Sequence, residues 1–241
     1  MLEKEELKKR IYNFLDQYQD GYDQFNYQYD YLEMAISAYL YRYYEEIYYK
    51  HDYRDTAFLQ MFSAIGALNK EENPYYQMMK KIEEEYGLDR NIIEVSCGMF
   101  PALSYEIAKR QKELGKGTIT GYDPELVTKT LTGTTLVDKK FTLSTPLPEN
   151  SLIIGRKPCE ATETIIRTAN IKNIEFYIQV CSCNHTPIEY RLTHLPKPNQ
   201  LLWHTYIEEL AQDTLPKNFK IEKESTLLDS KDMIIKSKKM R

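Results

Sequence analysis

The segment Glu94-Val-Ser-Cys-Gly-Met-Phe-Pro101 gathers the residues best suited to chemistry. An acid near the end of an apolar run is followed by a tight turn and then by a helix start. Gly98 takes positive φ without cost and lets a ligand approach the backbone closely. Asp123 follows about 25 residues later, at the end of a second run, Thr118-Ile-Thr-Gly-Tyr122. A carboxylate there can accept two hydrogen bonds from a ribose diol. A third group is Gly155-Arg-Lys-Pro-Cys-Glu-Ala-Thr-Glu163. Arg156 and Lys157 suit an anionic substrate group, because guanidinium and ammonium pair well with carboxylate or phosphate. The plainer reading is solvated charge, or pairing with Glu160 and Glu163. Cys159, beside a helix N-terminus, has the setting of a nucleophile but no assigned base. Cys181-Ser-Cys183-Asn-His185 offers zinc-ligand types, yet a C-x-C-x-H triplet lacks the usual second pair, so no metal is expected. His185 has the near-neutral titration of a general base, though a surface-loop histidine needs no function.

These groups need elements to hold them. Residues 91–241 alternate between buried-strand runs and helical patterns. Strands are expected at Asn91–Val95, Thr118–Asp123, Ser151–Gly155 and Glu175–Cys181, and helices at Pro101–Leu114, Cys159–Ala169 and Asn199–Leu215. A short helix near Glu125–Leu131 and a strand near Lys140–Ser144 are weaker patterns. The alternation implies a parallel sheet with helices on both faces. Phe219–Leu228 and Met233–Lys236 close the chain as two strands, which implies an antiparallel edge hairpin. In such a sheet ligands bind beyond the carboxyl ends of the strands. The stretch Asn184–Asn199, with three prolines, reads as a binding loop or lid above that edge.

The first 87 residues read differently, as a helical domain. Leu7, Ile11, Phe14, Leu15 and Tyr18 form one apolar stripe. A second helix is expected from Tyr31 to about Lys50 and a third from Asp55 to Leu68. Asn73-Pro74 then reads as a cap and first turn, and Gly87 as a stop. Of the 21 tyrosines, 16 precede residue 91. A phenol buries its ring and keeps its hydroxyl near polar partners, so tyrosine suits a half-exposed helical face. The sharper reading is a pocket or partner surface, and dimerisation through these helices is a further expectation.

Composition bounds the function. Residues 1–90 carry 11 Lys+Arg against 18 Asp+Glu, and residues 91–241 carry 21 against 18. The acidic balance makes nucleic acid an unlikely partner on this reading. No run of about 18 apolar residues exists, so no membrane span is expected. The charged start does not read as a signal peptide, and four cysteines without framework spacing fit a reducing cytoplasm.

With these residues in view, the chain from about 88 to 241 resembles the class I S-adenosylmethionine-dependent methyltransferases. Glu94 matches the acid of that family's Asp/Glu-x-Gly-x-Gly motif, Gly98 its second glycine, and Asp123 the acid after the second strand. The terminal helix–strand–strand arrangement is similar as well. The resemblance implies a mostly parallel seven-stranded sheet with a terminal antiparallel hairpin. It implies S-adenosylmethionine held by Glu94, Ser96, Cys97, Gly98, Met99, Tyr122 and Asp123, with Asp123 on the ribose. Two residues depart from the motif. Ser96 stands where the first glycine is usual, which is compatible with a backbone that does not need positive φ. Phe100 stands where a third is common, and is expected to pack against the helix that follows. The fourth strand lacks the polar-Pro-Pro-aromatic motif of the base-amine enzymes. Absence of G-x-G-x-x-G argues against a nicotinamide domain. The implied activity is methyl transfer to a small-molecule acceptor, with Arg156, Lys157 and His185 near the acceptor. The alternative is a methyltransferase-like binding or assembly module with little or no catalysis.

Overall fold

The computed structural model describes residues 2–16, 36, 39, 53–126, 131–181, 200–225 and 233–240. The described elements run in chain order α1 (Lys4–Asp16), α2 (Tyr53–Ala64), α3 (Pro74–Tyr86), β1 (Asn91–Val95), α4 (Ala102–Leu114), β2 (Thr118–Tyr122), β3 (Thr134–Val137), β4 (Ser151–Arg156), α5 (Ala161–Lys172), β5 (Glu175–Val180), α6 (Gln200–Asp213), β6 (Phe219–Ser225) and β7 (Met233–Lys239). The helix expected from Tyr31 to Lys50 lies outside the described residues, except for Ile36 and Tyr39, which are helical and buried.

Seven strands form one sheet in the order β3-β2-β1-β4-β5-β7-β6. The first five are parallel, and β7 runs antiparallel to both β5 and β6. The terminal hairpin therefore joins the sheet through its second strand, and β6 becomes the edge. Order reverses between β1 and β4, which makes their carboxyl ends the switch point of the sheet.

The apolar runs explain the centre. Ile92, Ile93, Leu152, Ile153 and Ile154 are buried on both faces, as parallel strands between helical layers require. Strand alternation sends Ile92, Glu94, Leu152, Ile154 and Tyr177 to one face. That face shares its core with Leu7 and Ile11 of α1, Phe62 of α2, Met78 and Ile82 of α3 and Leu103 and Ile107 of α4. Ile93, Val95, Ile153, Phe176 and Ile178 meet Ile165 and Ile166 of α5 and Ile207 and Ala211 of α6 on the other face.

Local signals set the helix ends. Asn73 Oδ1 accepts from the amides of Tyr75 (3.0 Å) and Tyr76 (3.2 Å), and Pro74 occupies the first turn of α3. Gly87, at φ 71°, ends it. Helix α3 is tied to β7 by Tyr86, whose hydroxyl donates to Ser237 O at 3.1 Å, and by Lys236, whose ammonium meets Glu85 at 2.7 Å. Tyr39 shows the structural use of tyrosine: its ring is buried, and its hydroxyl donates to Ala67 O at 2.8 Å and accepts from Leu2 N–H at 3.0 Å.

One expectation needs correction. The third strand is Thr134–Val137, not Lys140–Ser144; the latter segment is a turn in which Thr142 N–H bonds Thr145 Oγ1 at 3.0 Å. The helix expected near Glu125–Leu131 falls partly outside the described residues, and Pro124–Glu125 is a turn. Among the described residues, no helix is long and apolar enough to cross a membrane.

Candidate functional site

Three loops meet at the switch point. The first follows β1 and holds Ser96 to Pro101. Glu94 lies just below it, fully buried, and accepts a hydrogen bond from the Ser104 hydroxyl of α4. Burial pushes its carboxyl up to about 8, and the Asp123 charge adds to the effect. The acid is thus mostly protonated at neutral pH.

Asp123, from the second loop, fastens the first. Its Oδ2 accepts from Gly98 N–H at 2.9 Å, and its Oδ1 accepts from Glu125 N–H at 2.9 Å. Burial raises its carboxyl above the ordinary range, with the two amides acting against it. Each oxygen retains acceptor capacity beyond the one bond it makes. Cys97 is buried between these two acids; burial and their charge hold its thiol well above the ordinary range, so it is not a ready nucleophile. Glu94, Cys97, Gly98 and Asp123 therefore form one group.

The backbone here carries strain. Ser96 sits at φ 58°. Serine reads as compatible with a backbone that does not need positive φ, and that condition is not met. A non-glycine residue there costs about 1–2 kcal/mol. Ser96→Gly should therefore raise stability by up to about 1 kcal/mol, the remainder being offset by the freer unfolded chain. A shift of the urea midpoint to higher concentration checks this; an unchanged or lower midpoint would show that the Ser96 side chain makes up for the strain.

The third loop follows β4. Lys157 (φ 53°) and Cys159 (φ 43°) are both left-handed, and Lys157 precedes Pro158. Lys157 N–H donates to Gln179 O at 2.8 Å. Gly155 is required because a methyl there would lie 2.9 Å from Pro158 Cγ and 3.0 Å from Ile165 Cδ1. Strained residues gather where the surrounding structure over-determines them, commonly at functional sites. Ser96, Lys157 and Cys159 lie together on the carboxyl edge. Arg156 places its guanidinium 4.6 Å from the Tyr75 ring centre, on the sheet face that carries Glu94. Its charge acts on Glu94 in opposition to burial. Glu163, offered as a partner for Arg156 and Lys157, pairs with Arg167 at 2.9 Å.

Other expected site residues part from this group. Tyr122 faces the opposite side of the sheet, with its ring 5.5 Å from that of Phe141. Its carbonyl, however, accepts from Cys97 N–H at 3.2 Å. Met99 is buried in the core beneath the N-terminal helices. Phe100 is buried too, and its ring meets Phe14 of α1 edge-on at 5.2 Å. His185, Cys183 and the Asn184–Asn199 loop lie outside the described residues. No cluster of three or more metal-ligand side chains occurs among the described residues.

Sequence reasoning missed Gln60. This α2 residue is buried, and its Nε2 donates to Cys97 O while its Oε1 accepts from Phe100 N–H, both at 3.3 Å. The signal was present as a lone amide in the apolar run Phe58-Leu-Gln-Met-Phe62, since a buried polar group needs a partner. Ser104 and Tyr75 were missed as well, and no spacing rule singles them out.

No protein-family model and no curated protein matches the chain. Solved structures with similarity include the precorrin-6y C5,15-methyltransferase of Geobacter metallireducens, at 13% identity over 70% of this chain and 87% of that one, with a TM-score of 0.45. The 23S rRNA methyltransferase ErmE is 16% identical over 68% of each chain, with a TM-score of 0.40. The plantazolicin methyltransferase BpumL, solved with S-adenosylhomocysteine, is 11% identical over 76% of this chain and 96% of that one, with a TM-score of 0.35. These names share methyl transfer and differ in acceptor. The reading of nucleic acid as an unlikely partner is withdrawn: an rRNA methyltransferase stands among the similar structures. That reading leaned on an acidic balance that is confined to residues 1–90; residues 91–241 carry 21 Lys+Arg against 18 Asp+Glu.

Proposed function

We propose that the chain binds S-adenosylmethionine at the β1/β4 switch point and transfers its methyl group. The observation that carries the reading is the bond between Gly98 N–H and the buried Asp123, which joins the glycine turn after β1 to the acid after β2. Asp123 would take the ribose hydroxyls on its remaining acceptor capacity. The turn at Ser96–Met99 would lie against the methionine portion, with Glu94 beneath it.

The cofactor supplies an electrophilic methyl carbon on a sulfonium. The protein's part is to align the acceptor in line and exclude water. A base is needed only for an acceptor that arrives protonated, the role in which His185 is offered. Arg156 ends β4 and Lys157 opens the loop after it, and both suit an acceptor with a carboxylate or phosphate. A small molecule enclosed between the N-terminal helices and the sheet edge is the acceptor class that this placement favours.

A second reading keeps the fold as a binding or assembly module. One observation favours it: the amide of Phe100 already bonds to Gln60 of the chain itself.

Melting with ligand separates the two readings. At 100-fold excess over Kd, S-adenosylhomocysteine should stabilise the protein by about 2.7 kcal/mol, seen as a rise of several degrees in Tm, while NAD does nothing. No shift with either S-adenosyl ligand at millimolar concentration would favour the module.

A further inference from the structure

The loop after β1 is held from two sides. Asp123 bonds the Gly98 amide from the β2 end. Gln60 bonds the Cys97 carbonyl and the Phe100 amide from α2, so its two bonds straddle Gly98. The fit is close: a methyl at position 98 would come within 2.7 Å of the Gln60 Cδ and Oε1 atoms. Gly98 is therefore needed to admit Gln60, independently of any ligand. Phe14 of α1 adds an edge-on contact to Phe100. A primary amide suits this clasp because it offers a donor and an acceptor on one planar group. Glutamate loses the donor, and methionine keeps the length but loses both bonds.

We infer that Gln60 is a positioning residue: it fixes the loop that faces the cofactor and so makes cofactor affinity depend on the N-terminal helices. The affinity half of this inference rests on the S-adenosylmethionine reading above. The clasp itself does not. The N-terminal helices are on this account part of the cofactor site's framework, and a displacement of α2 would loosen the loop.

The test has two arms on the full chain. The first follows hydrogen exchange of the Phe100 amide, without ligand, in the wild type and in Gln60→Met. Exchange should speed up about tenfold or more in the variant while the buried amides of α4 keep their protection. Equal Phe100 exchange in both proteins would overturn the clasp. The second arm titrates S-adenosylmethionine into wild type, Gln60→Met and Gln60→Glu, at a temperature where all three are folded. Affinity should fall about tenfold in Gln60→Met, as for two lost hydrogen bonds partly replaced by water, with Gln60→Glu between. A purely packing role would lower Tm and leave affinity within twofold, which would overturn the positioning role. If the wild type binds no S-adenosylmethionine, the function reading and the affinity half fall together, and the exchange arm alone decides the clasp.

Discussion

Gly98→Ala is expected to destabilise the protein by about 2–3 kcal/mol, from left-handed strain of up to about 1 kcal/mol net of the stiffer unfolded chain and the loss of two hydrogen bonds near 1 kcal/mol each. The strain arises because Gly98 holds φ 81°. The hydrogen bonds go because the new methyl takes the place of the Gln60 amide, which must leave Cys97 O and Phe100 N–H. A urea midpoint lowered with unchanged slope checks the prediction. Pairing the change with Gln60→Ala identifies the cause: the steric share of the loss should disappear, so the double variant is less damaged than the two single losses added. Additive losses would mean that Gln60 and Gly98 do not share the space.

The second large effect is on pH dependence. Glu94 has an ordinary value of 4.5 and is pushed up to about 8 by burial. Between those values the folded protein holds a proton that the unfolded chain has released. Stability contributed by Glu94 is therefore fully present below about pH 4.5 and is lost as pH rises through 8. The displacement corresponds to at most about 5 kcal/mol, less whatever relaxation and water entry return. Glu94→Gln cannot ionise and keeps an acceptor for the Ser104 hydroxyl. Urea midpoints at pH 5, 7 and 9 should fall steeply in the wild type and much less in the variant, which becomes the more stable protein at pH 9. Some slope remains, because burial also raises Asp123 and Glu106. Parallel curves for the two proteins would contradict the burial of an uncompensated acid.

Much of the sheet was legible because β1, β4 and β5 are short apolar runs set between helical patterns, and β2 is a β-branched run that follows a helix closed by glycine. The caps of α3 were legible for a similar reason: Asn73, Pro74 and Gly87 act locally. Strand β3 was not, because Thr134–Val137 is a half-exposed edge strand with little apolar signal. The neighbouring run at 140–144 carries as much strand-like composition and folds as a turn fixed by threonine hydroxyls. At the site, Glu94, Gly98 and Asp123 were readable from type and spacing. The left-handed backbone of Ser96, Lys157 and Cys159 was not, since side-chain type argues against it at each position. Gln60 lies 37 residues before the carbonyl that it bonds, and only the packing of α2 over the sheet brings the two together. Tyr75 meets Arg156 for the same tertiary reason.

Whether the Gly98–Asp123 junction is a cofactor site is the central question, and calorimetry answers it directly. S-adenosylmethionine and S-adenosylhomocysteine are titrated into the wild type, Asp123→Asn and Asp123→Ala. The account predicts micromolar binding of both ligands to the wild type. Asp123→Ala should bind roughly ten- to a hundred-fold more weakly, because the ribose bonds go and the Gly98 amide loses its partner. Asp123→Asn, with one acceptor oxygen left, should fall between them. No heat from either ligand at millimolar concentration, or equal affinity in all three proteins, would contradict it.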